Sequence, residues 1–316
     1  MKRCLIVKPL LSDLKEGDRV DGVFLVQEKN LYSFKHKEGG YLNLLFRDRS
    51  GEMEARIWDN AEQYQDVCQA GEIAIVSGEV TNFRDRLQIR VEDIKKANPG
   101  EVDSSCFIPD SARDIEEMKT ELKQLLDSIS AGPLKEIADK FVDSAYFRIF
   151  CYAPAAKMYH HNVVGGLLEH SLGTAQICEK IAELHPEIDR DLLLLGAVLH
   201  DLGKIDEMEI DGDIRYTDEG KLLGHIIIGF QLLEKLMEHT SINTNYQNKL
   251  LHMIVSHHGE YEWQSPKKPQ FLEAKILHLA DMMDAEIWKF NAAQPASPGR
   301  NWSRYIRAIG GEVYFG

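Results

Sequence analysis

Between Asp191 and Asp206 the chain reads DLLLLGAVLHDLGKID. A helix over Leu192–Leu199 is apolar on nearly every face, so it must be buried all round, and the rest of a domain has to be built to cover it. The C-terminal end of this rod delivers His200 and Asp201 side by side, then Gly203, expected to stop the helix, and Lys204. A carboxylate beside an imidazole in an apolar core is costly unless something satisfies both, and a metal ion is the simplest candidate.

A chain of 316 residues has room for two domains, and 44% hydrophobic with 28% charged residues excludes disordered and fibrous classes. A formal net charge of -14 would argue against nucleic acid if it were spread evenly. It is not: residues 1–100 are close to charge balance, and the acidic excess falls on residues 101–316, where divalent cations would offset some of it. The five cysteines (Cys4, Cys68, Cys106, Cys151 and Cys178) are scattered and never form a C-x-x-C pair, which points to a reducing compartment. The opening MKRCLIVKPL is too short an apolar run for a signal peptide or a membrane span. The expectation is a soluble cytoplasmic protein with no membrane partner.

Residues 13–97 read as short strands between turns. Arg19–Gln27, Tyr41–Phe46, Glu52–Trp58, Glu72–Val80 and Leu87–Ile94 are β-rich, Asp48–Gly51 is a turn, and Asn60–Gln69 suits a short helix. Three strands, a helix and two strands is the order of a five-stranded OB barrel. Ala97-Asn98-Pro99-Gly100 closes this part, and Glu101–Asp110 has linker composition. Helical spacing then takes over in Met118–Ile129, Leu134–Val142, Leu167–Leu184, Leu192–Leu199, Leu222–Met237, Leu250–His258 and Leu272–Trp288, with a possible hairpin at Glu209–Thr217. The expected architecture is multidomain: a small all-β OB barrel at 1–98, a linker at 99–115, and an all-α bundle at 116–316.

Eleven of the twelve histidines follow residue 159. His170, His225, His257 and Asp281 each sit at helical spacing from apolar residues, and with His200-Asp201 they give five helices that aim an imidazole or carboxylate inward, as bundle metal sites do. One such histidine alone is more often a core residue bonded to a carbonyl; five such groups in one bundle run against how rarely polar side chains are buried unpaired. Imidazole and carboxylate donors without thiolate favour Mn, Co, Fe, Ni or Zn over Ca or Mg alone. Manganese is the favoured occupant. Two such ions ready a water for attack and stabilise the entering and leaving oxygens of a phosphodiester.

The order His170, His200-Asp201, His225, His257-His258, Asp281 resembles the HD superfamily of metal-dependent phosphohydrolases in its two-metal form. The resemblance implies a first metal on His170, His200, Asp201 and Asp281, and a second on Asp201, His225 and His257, with His258 the alternative to its neighbour. Asp201 would be the catalytic bridging group. Lys204 is placed to approach a phosphoryl oxygen, or else complements a helix dipole.

The stretch FRDRSGEMEARIWD is similar to the strand-turn-strand of OB domains in nucleic-acid-binding proteins and tRNA synthetases. Lys35, His36 and Lys37, then Tyr41, Arg47, Arg49 and Arg56, then Arg84 and Arg86, supply the basic and aromatic mix with which such barrels hold single strands. Trp58 is expected in the core. Barrel first and HD domain second resembles the YhaM-type 3′→5′ exoribonucleases, and AAKMYHHNVVGGLLEHSL resembles that family's lead-in to the first ligand. This implies single-stranded RNA, or DNA, degraded from its 3′ end to nucleoside 5′-monophosphates, with His161 either touching substrate or capping the helix that begins near Asn162. The tail after Trp288, with Arg300, Arg304 and Arg307, matches nothing in the family. Alternative readings are a phosphodiesterase for small nucleotides or dinucleotides with a regulatory OB domain, and a non-catalytic nucleic-acid-binding protein. A homo-oligomer is compatible with all three.

Overall fold

Alternation of inward Val20, Phe24, Leu42, Leu44, Phe46, Ala55, Ile57, Val76, Val80 and Ile89 with polar neighbours closes the first part of the chain into a barrel. In the computed structural model, residues 10–34, 39–83, 86–98, 102, 107–109, 111, 113–157, 161–211, 213–294 and 300–316 are described. The described chain forms two compact units, one of residues up to 110 together with 210–214 and one of residues 111–209 and 215–316.

The barrel strands are β1 (Arg19–Ser33), β2 (Gly40–Asp48), β3 (Gly51–Ile57), β4 (Ile73–Phe83) and β5 (Arg86–Lys96), in the closed order β1-β2-β3-β5-β4. All neighbours are antiparallel except β3 and β5, the arrangement of an OB fold. β1 outruns the expected Gln27 because a register shift between Val26 and Glu28 lets a polar run keep pairing with β2. The expected helix at Asn60–Gln69 is only a 3-10 turn, Ala61–Tyr64. Its carbonyl end is held by Lys29, whose Nζ donates to Tyr64 O at 3.0 Å, Gln65 O at 2.7 Å and to Cys68 O. The stretch read as linker is not all solvated: Phe107 packs on Leu25, and Ile108 is buried too.

The second unit is helical: α1 (Ile115–Asp127), α2 (Pro133–Asp143), α3 (Ala145–Phe150), α4 (Gly166–Leu184), α5 (Arg190–Leu199), α6 (Lys204–Glu207), α7 (Asp218–Met237), α8 (Thr244–Ser256) and α9 (Leu272–Ala292). A hairpin of β6 (Met208–Asp211) and β7 (Asp213–Tyr216) follows α6 in the chain, and its residues 210–214 belong to the first unit. α5 is the buried rod, with Leu192–Leu199 all buried, and α4, α8 and α9 pack around it. Side-chain caps start the helices where the sequence offers them: Asp114 accepts from Glu117 N, Asp189 from Leu192 N, Thr217 from Gly220 N and Asn243 from Tyr246 N. Cys68, Cys151 and Cys178 are free and buried; Cys4 and Cys106 lie outside the described residues. Among the described residues no helix is long and apolar enough to cross a membrane.

Candidate metal centre

α5 ends at Leu199, before Gly203, and the chain turns so that His200 and Asp201 point into the bundle while α6 starts at Lys204. Gly203 is not a left-handed stop: its φ is -63°. Its role is close approach, since a Cβ there would lie 2.0 Å from the His225 carbonyl oxygen and 2.5 Å from Gly229 N. α7 is kinked at Gly224 (φ 72°), and the helix resumes at His225. The two glycines together bring His225 to Asp201.

Five imidazoles and two carboxylates converge here. Asp201 is buried, and its two oxygens face different partners. Oδ2 lies 3.5 Å from His170 Nε2 and 3.3 Å from His200 Nε2, while Asp281 Oδ1 is 3.2 Å from His170 Nε2 and 4.0 Å from His200 Nε2. Oδ1 lies 3.6 Å from His225 Nε2 and 3.5 Å from His257 Nε2. The ligand atoms of His225, His257 and His258 lie within 4.8 Å of one another, so both neighbours of the His-His pair turn inward.

Every ring presents its Nε2 for the same reason: its Nδ1 is already engaged. Nδ1 of His200 meets Ala197 O at 2.8 Å, that of His257 meets Ile254 O at 2.7 Å, and that of His258 meets Trp263 O at 2.8 Å. A carbonyl only accepts, so these Nδ1 atoms carry a proton, and Nε2 is the ring nitrogen left to serve as a metal donor. His170 and His225 use carboxylates instead, Asp284 Oδ2 at 2.7 Å and Glu207 Oε1 at 3.0 Å. Glu207 Oε1 also accepts from His225 N at 3.0 Å, capping the resumed half of α7. Such outer contacts fix ring orientation and raise donor basicity in metal sites.

Asp201 Oδ1, His225 Nε2 and His257 Nε2 are buried and have no hydrogen-bond partner, though they face one another within 3.6 Å. Burying unpaired polar atoms against each other is unfavourable, and a divalent cation among them removes the cost. The donor set therefore fits divalent metal. Burial alone would raise the Asp201 carboxyl, but Lys204 and His200 hold it well below the ordinary carboxylate range. Burial works against a charged His170, yet hydrogen bonds to Asp281 and Asp284 push it up to about 10. Burial keeps His257 low and, with His257 and His225 alongside, pushes His258 down to about 4, leaving neutral rings with a lone pair to give.

Lys204 is buried, with Nζ 2.6 Å from Asp201 Oδ2. Two cavities open beside the cluster, of about 350 Å³ and about 300 Å³; both are lined by Lys204 and His258. His161 lines neither. It lies behind His170, its Nε2 3.0 Å from Asp284 Oδ2 and its Nδ1 3.3 Å from Glu169 Oε2. Sequence reading overlooked Asp284 and Glu207. The signal available was their spacing, Asp284 three residues beyond Asp281 and Glu207 three beyond Lys204.

On the barrel, β2 and β3 turn Tyr41 and Arg56 outward to the same place. Tyr32, Tyr41 and Trp58 stack in succession at centroid distances of 5.6 and 4.8 Å, and Phe34 joins both Tyr41 (5.7 Å) and Trp58 (6.3 Å). The Arg56 guanidinium lies 5.3–6.0 Å from the rings of Phe83, Trp58 and Tyr41. Trp58 is thus not a core residue; the strand alternation places it outside, and neighbouring rings shelter it. Arg86 pairs in register with Phe83 and flanks this platform. Arg47 and Arg49 do not join it: Arg47 is the penultimate residue of β2, about 20 Å along the strand from Tyr41, and Arg49 is in the following turn. Lys35, His36, Lys37, Arg84 and His160 lie outside the described residues. Arg300, Arg304 and Arg307 are exposed on the tail.

Comparison with known proteins agrees with both units. The HD domain family matches residues 167–286, and the family described as OB-fold nucleic acid binding domain matches residues 25–97. The 3′-5′ exoribonucleases YhaM of Listeria welshimeri and of Listeria monocytogenes serovar 1/2a are each 34% identical over 278 residues, 88% of both chains. The YhaM exoribonuclease of a Geobacillus species is 32% identical over 285 residues, 90% of this chain and 87% of its own. With the likeness running through barrel and bundle alike, this chain belongs to the YhaM family of 3′-5′ exoribonucleases.

Proposed function

We propose that this protein hydrolyses single-stranded RNA from the 3′ end to nucleoside 5′-monophosphates, using two divalent metal ions, manganese foremost, held in the bundle. The observation that carries the reading is the Asp201 carboxylate, buried with one oxygen toward His170 and His200 and the other toward His225 and His257. His170, His200, Asp201 and Asp281 would hold one ion; Asp201, His225, His257 and His258 the other. Bound there, the pair supplies a water made nucleophilic near neutral pH and positive charge around the phosphorus.

The residues do the rest. Asp281 and Asp201 keep the imidazoles in place, Asp284 and Glu207 hold His170 and His225 from behind, and Lys204 reaches a phosphoryl oxygen seated over Asp201. His161 is a positioning residue, acting on His170 through Asp284. In the net reaction the water oxygen bonds to phosphorus, the bond from phosphorus to the penultimate 3′ oxygen breaks, and that oxygen takes up a proton. On the barrel, Tyr41, Arg56 and Arg86 with Tyr32, Trp58 and Phe83 support the reading of a single-strand platform, since bases stack on rings regardless of sequence.

The test is digestion of a 5′-labelled single-stranded RNA by the full chain with manganese, read at nucleotide resolution beside the equivalent DNA. Labelled fragments should shorten one nucleotide at a time, and Asp201→Ala should stop this while emptying the protein of metal. An intact oligonucleotide with a dinucleotide cleaved instead would favour a small-nucleotide hydrolase.

A further inference from the structure

The two cavities meet at Lys204 and His258. Both residues line both cavities, so a phosphate bound beside Lys204 and His258 has access to each. At about 350 and 300 Å³ they stand at the small end of ligand cavities, which run to about 1,000 Å³. Each is of a size to seat one nucleoside.

Each cavity also has one partly exposed aromatic ring. Trp263 lines the smaller cavity and Tyr216 the larger; they are 50% and 41% exposed, although both adjoin the buried cluster. Trp263 is fixed from behind. The His258 ring donates to its carbonyl, and its own ring lies 6.1 Å from that of His278, which in turn donates from Nδ1 to His257 O at 2.8 Å. One short turn therefore carries a candidate metal ligand and an aromatic face. Tyr216 ends β7, directly before Thr217 caps α7, and shares its cavity with Leu223, Ile227 and Pro266. Beside Trp263, the ion pair of Glu286 and Lys289 at 2.6 Å offers ribose hydroxyls both an acceptor and a donor.

We propose that Trp263 and Tyr216 are the base-stacking residues for the two nucleosides flanking the scissile phosphate, one in each cavity. This rests on the exoribonuclease reading above. It makes the enzyme indifferent to base identity, because every base has a π face, and favours unpaired bases, whose faces are free to stack.

The experiment is a cycle between protein and substrate. Full-length enzyme with manganese is assayed on a single-stranded RNA oligomer and on versions with an abasic ribose at the terminal or the penultimate position. Removing one base should cost the unaltered enzyme about tenfold in kcat/KM, as should Trp263→Ala or Tyr216→Ala on the intact oligomer, mostly through KM. Each Ala variant should lose nothing further with one of the two abasic substrates, and the two variants should respond to different positions. Trp263→Phe and Tyr216→Phe should restore most of the loss. Penalties that simply add, or an enzyme insensitive to both abasic ends, overturn the assignment. Failure of the unaltered enzyme on the intact oligomer would instead overturn the exoribonuclease reading itself.

Discussion

Asp284 shows how much of this site depends on residues that touch no substrate. Its Oδ2 accepts from both His170 Nδ1 and His161 Nε2, and these two rings hold its carboxyl down to about 2 against the effect of burial. Replacing it with asparagine keeps the shape and removes the charge that raises His170 basicity. Asp284→Asn should weaken metal binding by about 10–100-fold, measured by calorimetric titration with manganese, with the far-ultraviolet circular dichroism unchanged. Unaltered affinity would mean that His170 is oriented by packing alone. The candidate ligands were readable in the sequence because histidines and aspartates stood at helical spacing among leucines and isoleucines. Asp284 and Glu207 were not, because a carboxylate on a helix is ordinarily solvated, and only the fold turns these two inward.

At the scale of elements, period decided what could be read. The long helices and barrel strands show their 3.6- and 2-residue periods plainly. α3 and α6 are too short to display one, and β1 hides its second half behind a register shift. The Gly203 turn was misread for a related reason: the sequence shows a glycine near a helix end, whereas what requires it is the α7 backbone. A methyl group at 203 meets backbone atoms on α7 that cannot swing aside. Gly203→Ala should cost at least about 1–3 kcal/mol, lowering the melting temperature of the bundle by about 2–4 °C per kcal/mol. It should also reduce metal content, because α6 carries the Glu207 that orients His225. Across the barrel strands, Trp58→Ala removes the ring on which Tyr41 and Phe34 stack. In an Asp201→Asn background that spares the RNA, it should weaken single-strand binding by about 1–3 kcal/mol, about 5- to 150-fold in the dissociation constant read by fluorescence anisotropy. An unchanged dissociation constant would move the interface off this face.

For the whole molecule, the two units differ in what stabilises them. The barrel closes over Val20, Phe24, Phe46, Ile89 and their neighbours, with every strand edge paired. The bundle has the larger apolar core around α5 but also carries buried carboxylates and imidazoles facing one another at 3.2–4.0 Å, three of their atoms unpartnered. A cation that binds these groups only when they are assembled adds its binding free energy to the folding of that unit alone, about 2.7 kcal/mol when its concentration is 100 times its dissociation constant. Two separate cores should give two transitions in scanning calorimetry. Manganese should move the transition that carries most of the helical signal upward by several degrees, chelation should move it back, and the barrel transition should stay where it is. Asp201→Ala should abolish the shift, because it takes a donor from both halves of the cluster at once. Equal movement of both transitions would place the cation elsewhere, and no movement of either would mean that the buried cluster is a hydrogen-bonded core and not a metal centre.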